Sequence, residues 1–291
     1  MTCFSYFKIR LANTLLIATL LSVNSPPILS DPITVNLPNN ITANADYREG
    51  NAQKPAVLIL HGFMTTYNLN IVQFIANELE SHGYTILAPT LSLKINNRQS
   101  GASCDAIHTH TMETDVEEVL WWLNWLRSKT NKDIIVIGHS TGSLQLAIAL
   151  SRSPPSYVKK AILTAPAYLS GKPFPQDIEK KEIALANGLK SKNDISLNKY
   201  HLSFCKGNFV APYNVFLSYK FWTADRLIET IQNIKIDHTI ILAGADTRFL
   251  PNLYRKLEQT KVKIVTIDGS NHFFSSPHEL EFLELISNEL E

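Results

Sequence analysis

The stretch Ile134–Leu150, IIVIGHSTGSLQLAIAL, sets an apolar run, a serine between two glycines and a second apolar run within one short segment. Gly138-His139-Ser140-Thr141-Gly142 interrupts what is otherwise continuous core. A serine with glycine two residues before and two after, where a strand passes into a helix, is the pattern of a nucleophile elbow. The turn is so sharp that only glycines leave room for strand and helix. The interruption therefore reads as a site, with Ser140 as its nucleophile. A glycine-rich turn can also contain a serine by chance, so the reading depends on what lies around it.

Outward from the elbow, apolar runs alternate with amphipathic stretches, the pattern of a mostly parallel sheet flanked by helices. Strands are expected at Ala56–Leu60, Tyr84–Pro89, Asp133–Gly138, Lys160–Ala165, His238–Gly244 and Lys263–Asp268. Helices are expected at Ile71–Ser81, Thr114–Lys129, Ser143–Ser151, Leu250–Gln259 and His278–Leu290, where apolar residues recur three and four apart. Near-continuous apolar strands imply a sheet covered on both faces. One interval breaks the rhythm. Residues 166–237, after the strand ending near Ala165, are too long for a single connection and read as an insertion. It carries Pro173, Pro175, Pro212, Tyr213, Phe216, Tyr219, Phe221 and Trp222, and its position places it as a lid over the carboxyl ends of the strands.

A serine hydroxyl is a weak nucleophile until a base takes its proton, so the elbow calls for a histidine and a carboxylate to orient it. Asp246 in GADTRF and His272 in GSNHFF each follow a predicted strand, in the chain order Ser, Asp, His expected for such a site. Asp237 precedes its strand, Asp268 lies too near His272, and His278 reads as the cap of the last helix. Two backbone N–H groups must receive the developing oxyanion. Thr141 supplies one, and Phe63 in LHGFM (Leu60–Met64) the other, with Gly62 letting the chain turn and His61 supporting the loop.

Other signals have plainer readings. His108 and His110, near Asp105, lack a clear third ligand and read as a polar loop, so no metal is expected. EEVLWWLNWLR (Glu117–Arg127) places three tryptophans on an amphipathic helix, which core packing explains. Within 291 residues, 45% of them hydrophobic, one large core can form, and the formal charge of +1 gives no reason to expect nucleic acid as a partner. Lys8 and Arg10 precede the apolar run Leu11–Val23, so residues 1–30 read as a signal for export and 31–291 as the mature domain. The run is too short for a stable membrane span. Without the signal, Cys104 and Cys205 remain, either as two buried thiols or as a disulfide tying the insertion to the body.

HGF, GHSTG, GAD and SNHFF, in this order at strand ends, resemble the α/β-hydrolase superfamily. Within it, the chain looks like the carboxylesterase, monoacylglycerol lipase and lysophospholipase-like group. The resemblance implies an α/β-hydrolase fold and cleavage of a carboxylic ester without a cofactor, with Ser140 as nucleophile, His272 as base and Asp246 as its orienter. It implies a small-molecule ester substrate, and the aromatic insertion suggests one with an apolar portion, such as a small acyl ester or a lysolipid. The alternatives are amide or thioester hydrolysis by the same triad, or a binding protein that has lost turnover. The loop after the second predicted strand departs from that group: it reads LSLKINNRQSGASC (Leu91–Cys104) where a glycine-histidine-glycine turn is frequent.

Overall fold

A computed structural model describes residues 32–171, 175–247 and 252–290. The expected signal at 1–30, Pro173 and the expected helix start at Leu250 lie outside them. The chain enters through β1 (Ile33–Asn36) and β2 (Thr42–Arg48), followed by β3 (Ala56–Leu60), α1 (Asn70–Ser81), β4 (Thr85–Thr90) and α2 (Met112–Thr130). Next come β5 (Ile134–His139), α3 (Thr141–Arg152) and β6 (Val158–Thr164), then α4 (Gln176–Ser191), β7 (Asn198–Leu202), β8 (Cys205–Ala211), α5 (Tyr213–Lys220) and α6 (Ala224–Gln232). β9 (Asp237–Ala243), α7 (Asn252–Leu257), β10 (Lys263–Ile267) and α8 (Glu279–Leu290) complete it.

All six expected strands form, within two residues of their predicted ends, and join one sheet in the order β1-β2-β4-β3-β5-β6-β9-β10. From β4 to β10 the pairing is parallel. Alternate side chains serve opposite faces. In β3, Val57 and Ile59 pack with Ile75 of α1 and Phe282 of α8, whereas Leu58 and Leu60 pack with Trp122 of α2 and Leu146 of α3. Trp122 is fully buried, and Trp121 and Trp125 are half-buried against the same cluster, as the helix pattern implied. α2 starts two residues earlier than expected from the hydrophobic spacing. Thr111 caps it, exchanging hydrogen bonds with Thr114 in a capping box.

Sequence reading misses β1 and β2, the antiparallel edge. Their residues, ITVN and TANADYR, hold no apolar run. β2 buries charge instead. Arg48 donates to Asp46 on its own strand and to Gln73, Asn77 and Glu80 of α1.

The interval 166–237 also needs correction. β6 and β9 are direct parallel neighbours, and α6 joins them as the ordinary crossover helix, burying Leu227, Ile228 and Ile231 in the main core. The true addition is α4, the β7–β8 hairpin and α5, with a small core of its own where Tyr200 stacks on Phe216 at 4.0 Å. A disulfide between Cys104 and Cys205 fastens the hairpin to the loop after β4, with Cα atoms 5.6 Å apart. The bridge closes a loop of 101 residues, worth at most about 4.7 kcal/mol in chain entropy, and its removal is expected to cost about 2–4 kcal/mol. Urea unfolding with and without reductant reads this directly. Coincident midpoints would show that the bridge stabilises nothing.

Candidate active site

The elbow forms where β5 gives way to α3. Ser140 has φ +57° and ψ −120°, a left-handed conformation unusual for a residue with a side chain. Three backbone bonds hold it. Its N–H donates to Thr164 O at 2.9 Å, and its carbonyl accepts from Ser143 N at 3.1 Å and Ala167 N at 3.2 Å. Both flanking glycines are required by space. A Cβ on Gly138 would lie 2.7 Å from Ser143 N, and one on Gly142 would lie 2.5 Å from His61 O.

The loop after β3 faces the elbow, but Gly62 does not serve there as the turn residue the sequence suggested. The left-handed residue is Met64, at φ +55°. Gly62 is needed for contact: a Cβ there would come 3.3 Å from Ser140 Cβ and 3.7 Å from its Oγ. His61 supports the loop as expected. Its Nδ1 lies 2.7 Å from Gly62 O and its Nε2 accepts from Leu91 N at 3.1 Å, so the ring is neutral, with the proton on Nδ1. Among the described residues neither Phe63 N–H nor Thr141 N–H meets a protein acceptor. Thr141 is the first residue of α3, where such groups are free by geometry.

Asp246 and His272 come together from separate loops at the carboxyl ends of β9 and β10. Gly244 N donates to Ile267 O at 2.9 Å and Ala245 N to Ser270 O at 2.8 Å, which ties the loops to each other. His272 Nδ1 then lies 2.5 Å from Asp246 Oδ2, and both side chains are buried. The ring of His139, the residue before Ser140, has its centroid 4.8 Å from that of His272. The rival residues lie elsewhere. Asp237 pairs with Lys160 at the start of β9, Asp268 is exposed, and His278 precedes α8, where its carbonyl accepts from Phe282 N.

His108 and His110 lie in a loop, as the sequence suggested, but that loop is covered. The added layer packs over them and buries both. His108 stacks on Phe209 at 4.3 Å, and His110 Nδ1 lies 3.0 Å from Asp115 and 2.5 Å from the Tyr219 hydroxyl. No group of three metal-ligating side chains occurs among the described residues. The layer also encloses Phe63, whose ring meets Phe204, Phe209 and Tyr219 at 5.6, 6.3 and 5.8 Å. Sequence reading missed this role because such aromatics look like any buried insertion. Phe204 and Phe273 remain about half exposed near the site, and Phe273 lies 5.1 Å from the His272 ring.

Burial of His61 and His108 makes the fold sensitive to acid. Desolvation, aided by the charge of Arg98, lowers the His61 pKa to about 3, and desolvation lowers that of His108 to about 4. Unfolded histidines titrate near pH 6.5. Between these limits the unfolded chain binds protons that the native state refuses, so stability is complete above about pH 6.5 and declines as pH falls. His61 alone is expected to remove about 2 kcal/mol between pH 7 and pH 5. Urea titrations at the two values measure it; an unchanged unfolding free energy would contradict a neutral buried His61.

Comparison with known proteins agrees with this architecture. Residues 55–204 match the alpha/beta hydrolase fold family, and the chain belongs to it. No match was found among curated proteins. Among solved structures, the alpha/beta hydrolase GrgF from Penicillium sp. sh18 superposes with a TM-score of 0.67 at 14% identity, covering 89% of this chain and 97% of its own. Est1E from Butyrivibrio proteoclasticus gives 0.61 at 17% identity, covering 90% and 99%. A monoacylglycerol lipase from Paleococcus ferrophilus gives 0.57 at 17% identity, covering 85% and 98%.

Proposed function

We propose that the protein is a serine hydrolase that cleaves a carboxylic ester through an acyl-enzyme. The contact of His272 Nδ1 with Asp246, beside the strained Ser140 elbow, carries the reading. With its Nδ1–H given to the carboxylate, His272 keeps Nε2 as a lone pair able to take the Ser140 proton. Ser140 Oγ then bonds to the ester carbon, and the carbonyl electrons move to an oxygen held by Phe63 N–H and Thr141 N–H. The carbon–oxygen bond to the alcohol breaks as His272 returns the proton to the leaving oxygen. Water repeats the attack on the acyl-serine, His272 takes its proton and hands it to Ser140 Oγ, and the acid departs. Water and ester are consumed, with no cofactor.

The half-exposed Phe204 and Phe273 favour a substrate with an apolar portion, as in a small acyl ester or a lysolipid. The Cys104–Cys205 bridge supports export, because disulfides persist in oxidising compartments. No described helix is long and apolar enough to cross a membrane. The test is a panel of p-nitrophenyl esters of increasing acyl length, with matched thioesters and anilides. Faster turnover of the oxygen esters is the expected result. A preference for thioesters or anilides would replace the bond class, and no turnover of any would reject an active hydrolase.

A further inference from the structure

The LSLKINNRQSGASC loop brings a buried cation against the oxyanion loop. Arg98 is 5% exposed, and its guanidinium binds backbone carbonyls: Nε donates to Leu91 O at 2.7 Å, Nη1 to Ser100 O at 2.9 Å and Met64 O at 3.4 Å, and Nη2 to Thr65 O at 2.8 Å. Met64 and Thr65 directly follow Phe63, whose N–H is assigned to the oxyanion. Leu91 is gripped at both ends, since its N–H donates to His61 and its carbonyl accepts from Arg98. Asn44 of β2 donates to Arg98 O at 2.7 Å and anchors the clamp to the sheet edge. The charge persists at neutral pH: burial lowers the guanidinium pKa to about 10, against the fields of Glu118 and Asp115.

Such a clamp has a reason to exist. Met64 sits at φ +55°, a conformation that side-chain-bearing residues hold only when the surroundings fix it. Oxyanion donors work because they are placed before charge develops. A donor misplaced by an ångström can lose about 10²-fold in rate. Two of the four carbonyls that Arg98 holds belong to the two residues after Phe63, so the clamp fixes the backbone next to that N–H.

We propose that Arg98 is a positioning residue for ester hydrolysis, holding the loop so that Phe63 N–H meets the oxyanion. The inference rests on the serine hydrolase reading above. The test compares Arg98→Met, which keeps bulk without donors, and Arg98→Lys, which keeps the charge with fewer, against the wild-type chain. Each is assayed on p-nitrophenyl butyrate once circular dichroism shows it folded. For Arg98→Met, kcat is expected to fall about 10²-fold with KM within threefold; for Arg98→Lys the fall is about tenfold. Affinity for n-butylboronic acid, which forms a tetrahedral anion on a serine oxygen, should weaken in step. Inhibition by butyramide, a neutral ground-state competitor, should not.

A folded Arg98→Met with wild-type kcat and boronate affinity would overturn the proposal, as would a raised KM at unchanged kcat. If Arg98→Met does not fold, Arg98→Lys decides alone; if neither folds, Arg98 serves folding and the proposal falls. A wild-type chain inert to both ester and boronate would sink the hydrolase reading itself, whereas an active wild type beside fully active variants sinks only the role of Arg98.

Discussion

Ser140→Ala is expected to lower ester turnover by about 10⁵- to 10⁶-fold and to abolish labelling by a fluorophosphonate, with the fold intact. The size follows from the chemistry. Without Oγ no acyl-enzyme forms, and what remains is attack by water in a site that still offers Phe63 and Thr141 N–H groups. Stability should not suffer. Alanine keeps the Cβ already accommodated at φ +57°, and Oγ, which would lie only 3.7 Å from a Cβ on Gly62, leaves without opening the backbone contacts to Thr164 and Ala167. Strained functional positions commonly gain stability when the function is removed. Turnover of a p-nitrophenyl ester, mass spectrometry of the labelled peptide and a urea midpoint measure the three claims. Retained turnover or a label on another residue would displace Ser140 from the role.

The central sheet was legible in the sequence because parallel strands covered on both faces leave long apolar runs, such as AVLIL and IIVIG. The elbow was legible because its glycines are demanded by space, and space leaves few alternatives at Gly138 and Gly142. Asp246 and His272 could be placed from their order after strands, although nothing in their own letters distinguishes them from Asp237 or His278. The antiparallel edge stayed hidden because β2 satisfies its burial with the Arg48 hydrogen-bond network rather than with apolar side chains. Arg98 stayed hidden for a related reason: its partners are carbonyls, and a carbonyl is present at every position of a sequence. The burial of His108 and His110 is hidden in the sequence because polarity signals solvent unless a distant segment covers it. Here Phe209 and Tyr219, about one hundred residues away, do so.

Asp246→Asn should leave packing almost unchanged and cost about 10⁴-fold in kcat, the scale set when a triad carboxylate becomes an amide. Aspartate and asparagine share a shape, so the side chain still fits between the loops that Gly244 and Ala245 hold together. What changes is which nitrogen of His272 carries the proton. The carboxylate accepts from Nδ1 at 2.5 Å, which leaves Nε2 as the lone pair that receives the serine proton in the proposed mechanism. An asparagine that turns its amide N–H toward Nδ1 favours the opposite tautomer, with the proton on Nε2 and no base facing Ser140. The carboxylate also balances the imidazolium that forms as Ser140 attacks, and a neutral amide does not. Both effects act on the chemical step, so kcat should fall while KM moves little, and fluorophosphonate labelling should slow alongside. Asp237→Asn and Asp268→Asn serve as controls, because one lies at the opposite end of β9 beside Lys160 and the other is exposed. Each should keep kcat within about twofold, as surface changes away from a site do. If either control shows the large loss and Asp246→Asn does not, the carboxylate has been assigned to the wrong residue.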